Sequence, residues 1–343
     1  MTVKNNLVCI YTYKGDSVNI PKSVARVIND LDLKESSFKS ARGNILDYVR
    51  YCNEEKGGFP TEGEPQAHAR LINSYMTNLK KEGYARNTIS GRWNWVSTLY
   101  KQLSMPLLND YAFLEENPIE LLEDRTGKTR TDYLPPESEQ SQNKRAYYVD
   151  KEDLELLCDN LPSPAFRNEV MIRLTYTTGL RSSELANLKL ENVNLEENLL
   201  EDFWVPKTAE SRSLWIPDTT VWYLDQFING GYRMSFSMAE ESEYLFPNNR
   251  QEKIHSQRLT KVLKKAASNA GIQESLGEDK SGNTRAKVTA HALRRGHGMH
   301  LYNQGKSLPE IQFRLGHSSP DQTSEYLPIT VEESKQQLTD VTF

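Results

Sequence analysis

Residues 124–146, DRTGKTRTDYLPPESEQSQNKRA, contain two adjacent prolines and no apolar period. A stretch of this kind has no face to bury, and its prolines cannot donate to a helix or a central strand, so it reads as a linker. That break constrains the fold more than any other feature. A chain of 343 residues already suits two domains better than one, and the linker says where they part.

Before the linker the apolar residues follow the helical period. Ile45, Val49 and Cys52 share a face, Leu71/Ile72, Tyr75/Met76 and Leu79 repeat at four-residue steps, and Ile89, Trp93, Val96, Leu99/Tyr100 and Leu103 make a third stripe. Gly57-Gly58 with Pro60, then Gly83, then Pro106 separate the stripes. Residues 37–123 are therefore expected to form a small helical bundle. Residues 1–36 stay an unassigned N-terminal extension, in which LVCIYTY suits a strand and SVARVINDLDL a short helix.

After the linker a second domain begins near Tyr147. Asp150, with Asp153 three residues on, suits a helix N-cap. A helix through Val170, Ile172 and Leu174 should end at Gly179. ENLLEDFWVP and SRSLWIP flank KTAE in the pattern of a β-hairpin. Helices are expected at 218–229, 256–270, 292–303 and 308–315. The fold class is mainly α with a small β-hairpin or sheet.

Cys9, Cys52 and Cys158 lie far apart with no metal spacing, which suits a reduced cytosolic protein. No apolar run approaches a membrane span, and MTVKNNLVCIYTYKG lacks the apolar core of a signal peptide. The net charge of −5 argues against a uniformly basic nucleic-acid binder. The charges are uneven, however. Basic residues gather between 250 and 295, while acids gather at 191–202 and 240–243. A basic face on an acidic body suits DNA, although a solvated charged helix has the same composition.

Several short stretches carry groups with chemistry. In TTGLRSSEL, 177–185, Gly179 ends a helix and Ser182 or Ser183 can cap the next, which puts Arg181 at a helix N-terminus that already favours an anion. Glu184 lies one turn on and can orient the guanidinium. In TAHALRRGHGMHLY, 289–302, Thr289 can cap a helix whose His291 and Arg294 share a face. His291, His297 and His300 lie on neighbouring turns, but no carboxylate or cysteine joins them, and no metal is expected. Lys207 is the lysine of the hairpin turn. LGHSSPDQTSEYL, 315–327, puts His317 on a turn, a helix start at Ser318–Pro320, and Tyr326 near the end of that short element. Each has an ordinary alternative: a surface Arg–Glu pair, a solvated lysine, a satisfied turn histidine, a half-buried tyrosine.

Taken in order, Arg181 with Glu184, Lys207, His291-x-x-Arg294, LGH at 315–317 and Tyr326 resemble the catalytic set of the tyrosine recombinases, the phage-integrase family. The flanks TGLRSSELANLKLENV and EIQFRLGHSS agree, and GYARNTISGRWNWVSTLYKQL stands where that family has its core-binding domain. The resemblance spans roughly residues 37–327. Two positions depart from it: Pro206 precedes Lys207 where a glycine is more usual, and Arg295-Gly296 follows Arg294 where the family often has His-Thr.

The resemblance implies a helical, SAM-like core-binding domain over 37–123 and a catalytic domain over 147–327. It implies a site-specific recombinase or integrase that works through a 3′-phosphotyrosyl intermediate without metal or ATP. Tyr326 would be the nucleophile, Arg181 and Arg294 the phosphate clamp, Lys207 the general acid, His291 a proton acceptor, His317 a phosphate ligand and Glu184 a positioning group. The partners implied are double-stranded DNA with paired specific sites and three further copies in a homotetramer, with no membrane role and a DNA-associated location. The tail 328–343, with Val331, Leu338 and Val341 on one stripe, is expected to dock on a neighbouring protomer or on its own domain. Charge and position nominate Arg86, Thr88 and Arg92 in the first domain, and Arg258 and Lys261 in the second, as DNA contacts. A non-catalytic DNA-binding protein on this scaffold and a type IB topoisomerase-like enzyme are the alternatives.

Overall fold

The computed structural model describes residues 8–13, 15–60, 65–136, 147–206, 208–278 and 284–317. The chain divides into two compact units, Met1–Asn143 and Lys144–Phe343.

In the first unit, strands β1 (Val8–Tyr13) and β2 (Asp16–Pro21) pair as an antiparallel hairpin. Helices α1 (Lys22–Asn29), α2 (Glu35–Lys56), α3 (Pro65–Lys81), α4 (Arg86–Leu103), α5 (Pro118–Thr126) and the single turn α6 (Arg130–Tyr133) follow. Residues 18–28 are no separate appendage. Val18, Ile20, Val24 and Ile28 are buried in one core with Ile45, Ile72, Val96 and Leu99. The stretch read as a linker also begins inside this unit. Tyr133 stacks on Trp93 at 5.4 Å between ring centroids, and Leu134 is buried beside it. Two apolar residues in a polar run are too few to show a period, which is why the sequence reads them as linker. Residues 137–146 lie outside the described residues.

Arg92 must be withdrawn from the expected DNA contacts. Its guanidinium pairs with Asp47 at 2.7 Å and lies 4.5 Å from the Tyr84 ring centroid, and the residue is 7% exposed. An internal carboxylate and an aromatic face hold that charge inside the bundle. Arg86 is half-buried and donates to the Pro135 carbonyl at 3.0 Å, whereas Thr88 is exposed.

The second unit opens with α7 (Lys151–Asp159), capped by the Asp150 side chain accepting from the Asp153 N–H at 2.8 Å. Its central element is α8 (Ala165–Thr178), where Val170, Met171, Ile172, Leu174 and Thr175 are all buried. A helix buried on so many sides is held by packing all round, so what it carries at its end is fixed in place. Gly179 terminates α8 in the left-handed region, φ 70°, and α9 (Ser182–Asn187) follows. A three-stranded antiparallel sheet comes next, in the order β3 (Val193–Asn194), β4 (Leu199–Val205), β5 (Glu210–Trp215). Lys207, in the β4–β5 turn, lies outside the described residues. Then come α10 (Asp218–Ile228), α11 (Arg258–Asn269), a hairpin of β6 (Ser275–Glu278) and β7 (Thr284–Ala286), α12 (Ala290–Asn303) and α13 (Leu308–Leu315). The β6–β7 hairpin has no counterpart in the sequence reading, because its strands are short and polar. Among the described residues no helix is long and apolar enough to cross a membrane.

Candidate active site

The site is built where α8, α9, β5, α12 and α13 meet. Arg181 occupies the N-cap position of α9, in place of Ser182 or Ser183, and Glu184 at the third helical position turns back to it. One Glu184 oxygen accepts from the Arg181 N–H at 2.9 Å and the other from Nη1 at 2.7 Å. The short helix is thus capped by the carboxylate that aims the guanidinium. Nη2 of Arg181 donates to the Gly316 carbonyl at 2.6 Å.

Arg294, on the buried face of α12, reaches the same turn from the other side. Its Nη1 donates to the Gly179 carbonyl at 2.5 Å and its Nη2 to the Leu315 carbonyl. Two guanidinium groups far apart in sequence therefore end on the consecutive carbonyls of Leu315 and Gly316. His317 follows, buried, with its N–H donating to the Gln312 carbonyl at 3.1 Å. Ser318 to Phe343 lie outside the described residues, and Tyr326, Val331, Leu338 and Val341 with them.

The Leu-Gly-His step has a steric reason. Gly316 stands at φ 62°, and a Cβ there would lie 2.4 Å from Nη1 of Arg212. Arg212, on β5, is a site residue that the sequence does not reveal. Its Nη2 pairs with Glu184 at 3.4 Å and its Nη1 donates to the Arg314 carbonyl at 3.3 Å. Arg314 in turn donates to the Trp215 and Thr177 carbonyls. One buried carboxylate thus serves a cluster of guanidinium groups, leaving a net positive pocket that attracts an anion. Gly296, the departure from His-Thr, is also accounted for: a Cβ there would lie 2.0 Å from the Val149 carbonyl oxygen.

His291 stands one turn before Arg294 with an exposed edge. Loss of water on its protein side, then the charges of Arg295, Arg294 and Arg181, push its pKa down to about 4. At neutral pH it is an uncharged imidazole, and a weaker base than a free histidine. His300 is exposed, and its Nε2 lies 3.0 Å from Gln304 Nε2. His297 is 3% exposed, with an Nε2 that meets no hydrogen-bond partner among the described residues. Among those residues no three His, Cys, Asp or Glu side chains gather as a metal site requires.

Burial first, then the charge of Arg314, push the His297 pKa down to about 3. The unfolded chain, with a histidine pKa near 6.5, takes up this proton before the folded chain does. Stability from this group is complete above about pH 6.5 and is lost as pH falls toward 3. His297→Leu is expected to flatten the acid side of the urea-unfolding profile by about 1.4 kcal/mol per pH unit, one proton's worth. Equal slopes for the two proteins between pH 6 and 4 would sink this account.

A mainly helical unit with a small antiparallel sheet, and paired arginines closing on a Leu-Gly-His turn, define a tyrosine-type site-specific recombinase. The chain belongs to the phage integrase family, whose family model matches residues 147–333. It is similar to the tyrosine recombinase XerA of Pyrococcus furiosus, 24% identical over 298 residues that cover 80% of this chain and 94% of that one. It is 30% identical to the tyrosine recombinase XerD of Haemophilus ducreyi over 160 residues, 47% of this chain and 49% of the other. Its fold resembles that of the Tn1549 transposon integrase in complex with transposon right end DNA, with a TM-score of 0.65, 12% identity, and coverage of 92% of this chain and 97% of that one.

Proposed function

We propose that this protein cuts and rejoins DNA strands at paired specific sites, with Tyr326 as the nucleophile and the cluster around Arg181 and Arg294 as the phosphate clamp. The observation that supports this most is the convergence of those two guanidinium groups on the Leu315 and Gly316 carbonyls, a few residues before Tyr326.

The chemistry sets demands that these residues meet. A tyrosine with a pKa near 10 is ionised in roughly one molecule per thousand at pH 7, a gap of about 4 kcal/mol. Nearby cations offset part of that gap. Arg181 and Arg294 hold the non-bridging oxygens of the scissile phosphate and stabilise the pentacoordinate transition state. His291, neutral for the reasons given above, accepts the phenol proton. His317 hydrogen-bonds the phosphate. Lys207 protonates the leaving 5′-oxygen. Glu184 positions Arg181. The phosphotyrosine bond keeps the energy of the broken phosphodiester, so a strand hydroxyl can reverse it, and neither metal nor nucleotide is needed.

Exchange of strands between two sites calls for four active sites, so the working form proposed is a homotetramer on DNA. Tail residues 328–343 then serve as a contact between protomers. Phosphate contacts supply most of the affinity and make it steeply salt-dependent.

The test is covalent trapping. Wild-type protein is incubated with duplexes carrying nicks near the cleavage position, so that the cut end diffuses away. An SDS-resistant adduct whose DNA-bearing peptide contains Tyr326 is expected. Attachment through another residue would remove Tyr326 from its role. Binding without adduct, even on DNA from the native locus, would leave a DNA-binding protein that does not cut.

A further inference from the structure

A second cationic groove lies between the start of α8, the turn at 248–251 and the first turn of α11. It encloses about 820 Å³, and its walls include Arg167, Arg250, His255, Arg258 and Lys261 but no acidic side chain. Arg167 lies in it at 4% exposure.

A buried guanidinium ordinarily rests on a carboxylate or on well-placed carbonyls. Arg173, further along the same helix, is the local example: it pairs with Glu155 and Glu169, each at 2.8 Å. Arg167 pairs with no carboxylate among the described residues. Its Nη1 reaches the Pro247 carbonyl only at 3.5 Å and its Nη2 the Asn168 amide oxygen only at 3.4 Å. Its Nε has no partner among the described residues, and neither has the buried Nε of Arg258. The Phe236 ring, 4.7 Å from the guanidinium carbon, is its nearest compensation. Burial, then the charge of Arg258, push the Arg167 pKa down to about 10. A cation held this way weakens the fold until an anion joins it.

We propose that this groove is a second phosphate-binding site, which takes a backbone phosphate of the DNA duplex away from the cleavage point, with Arg167 as its buried ligand and Arg250, Arg258 and Lys261 as its rim. The proposal rests on the recombinase reading above. It also goes beyond it, because it ties that phosphate to the catalytic clamp. Helix α8 carries Arg167 in its first turn and ends just before Arg181. At 1.5 Å per residue the two arginines stand roughly 20 Å apart along one rod. That is about six base-pair steps of a duplex. A phosphate fixed at one end of the rod sets where the scissile phosphate falls at the other, which is what backbone contacts do in DNA recognition.

The test uses the full chain and a duplex of arbitrary sequence, since a protein that grips phosphates does not read bases there. Affinity is measured between 50 and 200 mM salt for wild type, Arg167→Met and Lys261→Gln. The slope of log affinity against log salt should shrink by about 0.9 for each phosphate no longer neutralised. Arg167→Met should melt no lower than wild type, because a thioether can cover Phe236 without a buried charge. Unchanged slopes in both variants would overturn the proposal. So would an Arg167→Met protein that melts well below wild type at an unchanged slope, for Arg167 would then be structural. If Arg167→Met does not fold, Lys261→Gln and Arg250→Gln decide by the same slope. Inorganic phosphate that stabilises wild type while the slopes stay fixed would mark a small-anion site and overturn the DNA assignment. Wild type that binds no duplex at all would remove the recombinase reading itself, whereas unchanged slopes remove only the groove.

Discussion

Arg181→Ala is expected to slow strand cleavage about a hundred- to a thousandfold, the usual loss when one preorganised donor to a developing charge is removed. Duplex affinity should change only severalfold, because many other cations still neutralise the DNA backbone. Two effects combine in the rate. The variant lacks the side-chain donors proposed for a non-bridging oxygen, and among the described residues Glu184 keeps the backbone N–H of residue 181, at 2.9 Å, and Arg212, at 3.4 Å, to hold it. Arg181→Lys separates them. It restores a charge but cannot reproduce the fork that meets Glu184 and Gly316 together, so it should recover part of the rate and remain well below wild type. Single-turnover cleavage of a nicked duplex, quenched in SDS, measures both. A fall in rate of less than tenfold for Arg181→Ala would mean that Arg181 does not face the reacting phosphate.

Gly179→Ala is expected to destabilise the second unit by about 2–5 kcal/mol. Part of this is the left-handed backbone, φ 70°, which disfavours a Cβ by roughly 1–2 kcal/mol. The rest is overpacking, typically about 1–3 kcal/mol, since the new methyl would lie 2.7 Å from His297 Cδ2 and 2.9 Å from a Leu315 methyl. The damage should reach catalysis, because the Gly179 carbonyl is an acceptor for Arg294. Thermal unfolding and single-turnover cleavage of the same preparation test this together. A variant that melts with wild type would show that α8 and α13 can shift apart at little expense, contrary to the close packing described.

Much of this site is legible in the sequence because its signals are local. The glycine stop of α8, the Arg181-x-x-Glu184 turn, the Thr289 cap and the His291-x-x-Arg294 face each fit within one or two turns of helix. The β4–β5 hairpin is readable for the same reason. What escapes depends on partners distant in sequence. Arg212 is one arginine in an alternating strand, and only the fold brings it to Glu184. Arg92 looks like a surface cation on a helix until Asp47 claims it from another helix. Arg167 looks like one more charge at a helix start, and its burial comes from Phe236 and Pro247. The first strands and the Tyr133–Leu134 pair are easily undervalued because short apolar segments have no period to read.

The bond from Arg181 to the Gly316 carbonyl spans 135 residues, and this has a meaning during synthesis. A ribosome exposes the TGLR segment long before it makes α13 and the turn that follows. Throughout that interval the two clamp arginines lack the carbonyls on which they close. A nascent chain that has folded around α8 lacks the contacts that close Arg181 and Arg294 on that turn. The folded geometry of the site therefore depends on residues synthesised long after the segment that carries Arg181.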